Sequence, residues 1–390
     1  LSNAYISEAE LSKPEIYYPL CLYICEHCWL MQIEDYKVAD EIFGEDYRYY
    51  SSFSTLWLNH AANYVKMIVS RLHLDTASKV MEIASNDGYL LQYFKPDGIP
   101  CFGVDPAEGP ARKANEMGIE TIVSFFNLDM ASEIVKLKDK QDLIIGNNVL
   151  AHVPDINNFV AGLEVCLSPQ GTITMEFPHL MELIRHTQFD TIYHEHYSYL
   201  LLATVKSIFN KHGLRVYDVE KVFTHGGSLR IYACHTGDVS HPTELSVDLI
   251  INEERLQGLF ERQTYLDFQR RVNEIRNRFL QFLIENRIAG KRIVAYGAAA
   301  KGNTLLNYCG IKGTEFIEYV ADASPFKQGF YLPGSRIPIV EPKQISLDKP
   351  DFIIIFPWNI KNEIMKQLEG VREWGGKFVI PIPELEVIDA

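Results

Sequence analysis

The chain has 390 residues, 47% hydrophobic and 23% charged, with 51 Asp and Glu against 37 Lys and Arg and a net charge of -14. That length exceeds one core, so about two or three domains are expected. An acidic chain without a basic run argues against nucleic-acid and anionic-membrane partners. No apolar run approaches membrane-spanning length, the start shows no signal-peptide pattern, and 7 Cys, an odd count, do not read as a disulfide framework. A reducing cytoplasm is the expected location. The sequence does not set the oligomeric state, and a monomer is compatible with it.

Residues 1–75 read as a small aromatic-rich unit of short elements. A helix is expected from Ser54, through Trp57, Ala61, Tyr64, Val65 and Ile68 at helical spacing. A doubly wound unit over 76–205 follows. Its strands are Val80 to Ala84, Cys101 to Asp105, Asp142 to Gly146 and Gly171 to Phe177, with helices opening at Tyr89 and Ala111. Strands alternating with helices imply a parallel sheet with right-handed crossovers. A third unit over 206–390 begins with strands at Arg215 to Glu220 and Leu229 to His235, then one long helix from Asn252 to Asn286. The strand–turn–helix rhythm then restarts at Arg292 to Tyr296 and continues with strands at Phe316 to Ala321, Phe352 to Phe356 and Lys377 to Ile380. The fold class expected is α/β, two doubly wound Rossmann-like domains behind a small N-terminal α+β domain.

Three signals fall at successive strand ends. Glu82-Ile-Ala84-Ser-Asn86-Asp-Gly88 is a small turn where a cofactor can approach the backbone. Asp105, followed by Pro106, ends the next strand, where an acid can hold two ribose hydroxyls. Gly146-Asn147-Asn148 ends a later one, with His152 just beyond. The glycines are too sparse to cradle a pyrophosphate, which suits a nucleoside cofactor such as S-adenosylmethionine. A generic α/β turn would explain Gly88 alone but not all three.

A second turn, Gly297-Ala-Ala-Ala-Lys301-Gly302-Asn303, offers close approach, a helix N-terminus and a point charge, as a diphosphate would need. A packing turn with a solvated Lys explains those residues about equally well. The P-loop order is absent, which disfavours ATP hydrolysis. His225-Gly-Gly-Ser with Arg230 combines a flexible turn with anion-binding groups, and a tight hairpin is the bland alternative. Cys25 and Cys28 have zinc-knuckle spacing but lack a second pair.

Between the two ligand-type turns lies FDTIYHEHYSYL, with Tyr193, His194, Glu195 and His196 in a row. Two imidazoles around a carboxylate serve no packing need and mark proton transfer or a ligand. His194 and His196 could hold a metal on a strand, a weaker reading because the H-E-x-x-H spacing is missing. A polar network tying loops together explains one of the two imidazoles.

With these motifs taken together, the chain resembles the S-adenosylmethionine-dependent sugar C-methyltransferases of deoxysugar biosynthesis. The carriers are PLCLYICEHCWLMQ, YRYYSSFSTLWLNHA, MEIASNDGYLL, NNVLAHVPD, EFPHL, FDTIYHEHYSYL, HGGSLR, YGAAAKGNTLLNYCGI, PFKQG and FPWNIKNEI, in order over nearly the whole chain. The resemblance implies a zinc-ribbon-like N-terminal domain, a central cofactor domain and a C-terminal Rossmann-like domain that helps hold the sugar nucleotide. Members carry a first Cys-x-x-Cys well before the pair matching Cys25 and Cys28. The two thiols here are therefore half of a Zn2+ site, and the natural protein is expected to be longer.

The implied acceptor is a nucleotide-linked 4-keto sugar, usually on thymidine diphosphate. A ketone acidifies the neighbouring C–H, a base forms the enolate, and its carbon takes the methyl. The resemblance makes His196 the base, with Tyr193 and Glu195 positioning it and the substrate. An imidazole suits that role because its pKa lies near neutrality. His194 is expected to stabilise the enolate oxygen, and Tyr49 or Tyr50 to reach the site. Glu82, Ala84, Asn86, Gly88, Asp105, Pro106, Asn147, Asn148 and His152 are the expected cofactor contacts. His179, His225, Arg230, Gly297, Lys301, Asn303 and Lys327 are the expected substrate contacts. The competing readings are a nicotinamide-dependent sugar-nucleotide oxidoreductase, an O- or N-methyltransferase on a similar sugar, and a non-catalytic sugar-nucleotide-binding protein.

Overall fold

The computed structural model describes residues 1–36 and 50–389. Two compact units divide them: Leu22–Leu180 with Glu195–Phe260 form the cofactor unit, and Leu1–Cys21, Met181–His194 and Glu261–Ala390 the C-terminal unit.

The cofactor unit opens with a hairpin of β1 (Leu22–Ile24) and β2 (Met31–Ile33). The parallel strands β3 (Val80–Ile83), β4 (Cys101–Asp105), β5 (Thr121–Val123), β6 (Gln141–Asn147) and β7 (Leu167–Pro178) follow. The two-residue β8 (Ser198–Tyr199) returns to pair with β2. Two antiparallel strands, β9 (Leu214–Val222) and β10 (Ser228–His235), finish a seven-stranded sheet in the order β5-β4-β3-β6-β7-β10-β9. Every residue of β3 is buried, as a central parallel strand with both faces covered requires.

The sheet therefore runs past residue 205, where the sequence reading closed this unit. Antiparallel strands carry no local mark of which sheet they join. The helix Thr55–Leu72 also differs in its allegiance. Ser54 caps it, accepting the Trp57 N–H at 3.2 Å. Its buried residues Ala61, Tyr64, Val65 and Ile68 share a core with Val80, Tyr89 and Leu143 of the seven-stranded unit. Residues 1–75 are thus shared out: Leu1–Cys21 group with the C-terminal unit and the described residues from Leu22 onward with the cofactor unit. A larger core, from Met81 to Ile250, fills the other face of the seven-stranded sheet.

Two expected helices differ. The one expected to open at Tyr89 is two short 3-10 turns, Leu91–Tyr93 and Lys95–Asp97, since Pro96 and Gly98 stop an α-helix there. The single helix expected over Asn252 to Asn286 is two, Leu245–Leu256 and Arg262–Ile288, interrupted at Gly258 with φ +71°.

The C-terminal unit holds β11 (Ile293–Tyr296), β12 (Val320–Ala321), β13 (Ile339–Val340), β14 (Phe352–Ile355), β15 (Lys377–Ile380) and β16 (Glu386–Asp389). They order as β13-β12-β11-β14-β15-β16, parallel except for β16. Its core runs from Val294 and Tyr296 to Phe378 and Ile380. No helix among the described residues is long and apolar enough to cross a membrane.

Candidate active site

The turn after β3 is built from left-handed residues: Ala84 at φ +57°, Asn86 at +49° and Gly88 at +76°. At its φ a side chain on Gly88 would be strained, and a Cβ there would lie 2.6 Å from Ile119 Cδ1, which would have to shift. Ala84 and Asn86 hold this conformation at a cost of about 1 kcal/mol or more each. Their neighbours over-determine it. Asp105, at the end of β4, accepts the Asn86 N–H at 2.8 Å on one oxygen and the Ala107 N–H at 2.8 Å on the other. Ser51 N–H donates to Asn86 Oδ1 at 2.8 Å, while Ser52 and Lys113 both donate to the buried Asp87. Burial raises Asp105 to about 6, against the pull of those two N–H groups. Glu82 lies wholly inside β3, and burial holds it well above the usual carboxylate range.

At the end of β6, Asn147 donates to the Tyr89 hydroxyl at 3.4 Å, and Asn148 sits at φ +54°. The Asn148 amide donates to His225 Nε2 at 3.0 Å. His225, itself at φ +52°, meets the Trp57 ring edge-on at 5.3 Å. Trp57 also stacks on His60 at 5.0 Å and on Tyr89 at 5.8 Å. His60 bonds Glu176 at 2.8 Å, and Thr224 donates to the other Glu176 oxygen at 2.7 Å.

The His-Glu-His segment is divided by the two units, because the chain passes from one to the other between His194 and Glu195. In the cofactor unit, the Tyr197 N–H donates to Ala151 O at 2.8 Å and the Tyr197 carbonyl accepts the Ile33 N–H at 3.2 Å. That tie sets His196 against His152, ring centroids 4.6 Å apart and nearly perpendicular. Burial pushes His152 down to about 4, only partly offset by its hydrogen bond to the Glu195 backbone, so it is neutral at neutral pH. His152, expected beside the cofactor, thus neighbours the expected base. His194 belongs to the C-terminal unit, where its Nε2 donates to Pro19 O at 2.9 Å and its ring faces Tyr18. That bond occupies the donor expected for an enolate oxygen. Tyr193 is half-buried in the same unit, and Tyr49 lies outside the described residues.

Two expected substrate residues are built into the interior. His179 is 2% exposed and bonds Glu254 at 2.9 Å, and the same carboxylate accepts the Leu202 and Ala203 N–H groups that start the helix Leu202–Lys211. Arg230 is 5% exposed, spans Glu176 at 2.7 Å and Glu220 at 2.8 Å, and covers the Tyr64 ring. Its charge is consumed within the sheet.

In the C-terminal unit, Gly297 keeps φ +96° in the turn after β11. Lys327 donates to Ala298 O at 2.9 Å and reaches Asp322 at 3.3 Å, so it pins the turn. Asn303 is buried and accepts from Asn307 one helical turn on. Lys301 lies 5.8 Å from the Trp358 ring, and the Trp358 indole donates to Asp190 at 2.7 Å. Burial raises Asp190 to about 6; the Lys301 charge, the indole N–H and the backbone N–H groups of Asp190 and Thr191 hold it from rising further. Sequence reasoning gave no role to Trp57, His60, Glu176, Asp190 or Trp358. Trp57 and His60, three apart on one helix, were the available signal.

Cys25 and Cys28 flank the β1–β2 turn. Backbone N–H groups of Cys28 and His27 lower the Cys25 thiol, while burial raises Cys28. A structural zinc needs about four ligands, and among the described residues no group of three or more His, Cys, Asp or Glu is placed to hold a metal. Among the described residues these two thiols do not make a zinc site.

The strand order, the strained turn and the acid ending β4 are those of a nucleotide-type α/β unit. Residues 57–219 match the methyltransferase domain family, 223–383 the C-methyltransferase C-terminal domain, and 1–43 a putative zinc binding domain. The C-methyltransferase NovU of Streptomyces niveus is 38% identical over 391 residues, covering 100% of this chain and 92% of that protein. The chain belongs to the S-adenosylmethionine-dependent C-methyltransferase family and is an enzyme of that class. Among solved structures, it is similar to a Haloferax volcanii complex of the Trm112 methyltransferase activator with a putative methyltransferase (14% identity, 45% of this chain, 91% of that one, TM-score 0.38). It is also similar to magnesium protoporphyrin IX methyltransferase from Synechocystis PCC 6803 with bound SAH (15%, 50% and 92%, TM-score 0.37).

Proposed function

We propose that the methyl acceptor is a nucleotide-linked 4-keto deoxysugar, carried on thymidine diphosphate, and that His196 removes the proton next to the ketone. The observation that carries this reading is the His152–His196 pair at 4.6 Å, in the same unit as the cofactor turn. A neutral His152 leaves His196 without a like charge beside it. An O- or N-methyltransferase needs no base aimed at carbon.

The residues around Asp105 suit S-adenosylmethionine. Each Asp105 oxygen spends one lone pair on the turn and keeps another for a ribose hydroxyl. The left-handed turn after β3 and the Asn147-Asn148 pair ending β6 lie at the ends of paired strands, which supports a shared cofactor edge. When bound, S-adenosylmethionine supplies a methyl on a sulfonium, which the enolate carbon takes. His225, bonded to Asn148 and braced by Trp57, fixes the amide that faces this region. His196 then holds the abstracted proton until product leaves.

The test uses the 4-keto sugar nucleotide with the enzyme in deuterated water and no methyl donor. Deuterium should enter next to the ketone faster than in buffer, and S-adenosylhomocysteine should form on adding S-adenosylmethionine. Methyl transfer to a hydroxyl or amine, without exchange at carbon, would sink the reading.

A further inference from the structure

The six-stranded sheet reverses its strand order between β11 and β14. In open α/β sheets, the crevice at the carboxyl ends of such a strand pair is where ligands bind. Here the two turns that form it press together. A Cβ on Gly297 would lie 2.4 Å from Pro357 Cδ, and one on Gly302 would lie 2.5 Å from Phe356 Cδ2. Lys301 follows β11, Trp358 follows β14, and the short helix Phe189–Thr191 brings Asp190 to the indole.

The chemistry there is unfinished. Asp190 is 2% exposed. One of its oxygens is fixed by the Trp358 N–H at 2.7 Å. The other has no partner at hydrogen-bond geometry among the described residues, and the N–H groups of Asp190 and Thr191 act on the carboxylate only from a distance, the Thr191 N–H being spent on Gln188 O. Lys301 acts on Asp190 through its charge yet does not reach that oxygen. A buried acceptor without a donor is costly, and native structures keep one where a ligand supplies the donor. An anion such as a diphosphate would meet the Asp190 carboxylate. A neutral group with a donor beside an acceptor would satisfy both side chains. A hydroxyl can turn to suit either. A fixed acceptor beside a donor discriminates most against ligands whose own pattern is fixed, as in a nucleobase.

We propose that Asp190 and Lys301 read the N–H/C=O edge of a nucleobase, the carboxylate accepting the ring N–H and the ammonium donating to the adjacent carbonyl. Thymine, uracil and guanine present that edge. Cytosine and adenine would turn a ring lone pair toward the carboxylate. The inference rests on the nucleotide-linked acceptor proposed above and adds the residues that choose its base.

The test is calorimetry on the full chain with thymidine, uridine, guanosine, cytidine and adenosine diphosphates. At least one of the first three should bind roughly 10-fold or more tighter than the last two. Asp190→Asn keeps an acceptor for the indole but offers N–H to the ligand, so it should erase or invert that preference. N3-methylthymidine diphosphate should lose the advantage with the wild-type enzyme, a measurement that does not depend on the variant folding. Equal binding of all five diphosphates, or an unaltered ranking in Asp190→Asn, overturns the inference. So does a loss of the same size for all five. Methyl transfer is scored separately: base preference without transfer to a keto sugar defeats the acceptor reading alone, and transfer without base preference defeats this one alone.

Discussion

His196 owes its placement to the backbone of its successor. Tyr197 is tied by its N–H to Ala151 and by its carbonyl to Ile33, and this leaves the imidazole beside His152. His196→Asn should fold and bind S-adenosylmethionine normally but lose methyl transfer by roughly 10²–10⁴-fold, the range for removal of a general base. Single-turnover transfer, with calorimetry for cofactor affinity, reads the two effects apart; near-normal turnover would exclude His196 as the base. At this scale the sequence was readable where chemistry is local. Asp105 and the turn from Glu82 to Gly88 stand at consecutive strand ends. It misled where a partner is far away. His179 looked like a ligand because Glu254 lies 75 residues off, and Arg230 because Glu176 lies 54 residues off. Both side chains are spent on those partners.

Glu176 on β7 and Glu220 on β9 flank Arg230 on β10, each directly opposite it in register, so three neighbouring strands share one charge ladder. Burial alone would raise Glu176. The His60 hydrogen bond and the Arg230 charge overcome it and bring the carboxyl to about 2. A carboxyl depressed in the folded state stabilises above its unfolded pKa and loses that contribution as pH falls through the folded one. The Glu176 contribution should therefore disappear between about pH 4 and pH 2. Glu176→Gln should cost roughly 3 kcal/mol at pH 7, the low end for orphaning a buried charge because Glu220 still faces Arg230. Urea denaturation at pH 7 and near pH 2 checks this, and a gap that does not narrow in acid would contradict it. The strands themselves were legible as elements. Their sheet was not, because a strand's pattern records which face is buried and not which neighbour it pairs with.

Each unit carries its own sheet and its own apolar core. S-adenosylmethionine as a ligand of the folded enzyme should stabilise it by mass action, about 2.7 kcal/mol at 100-fold above its Kd. In scanning calorimetry, saturating cofactor should raise the melting of the cofactor unit and leave a second, unshifted transition for the C-terminal unit. A single transition that moves as a whole would show instead that both units melt together. The two doubly wound units were legible from the restarted strand–turn–helix rhythm. Their limits were not, because a unit here is a set of separated segments.

That interleaving bears on how such enzymes can be recombined. Leu180 and Leu200 are joined in the cofactor unit by a backbone hydrogen bond, and between them residues 181–194 leave for the other unit. A hybrid spliced at residue 260 from two parents would look modular in sequence. It would nonetheless seat one parent's Asp190 against the other parent's Lys301 and Trp358, a mismatched lock around the reading edge. Grafting the C-terminal unit intact requires at least three exchanged segments: 1–21, 181–194 and 261–390. Single-crossover shuffling of this family should therefore favour breakpoints that keep 181–194 with 261–390 from one parent.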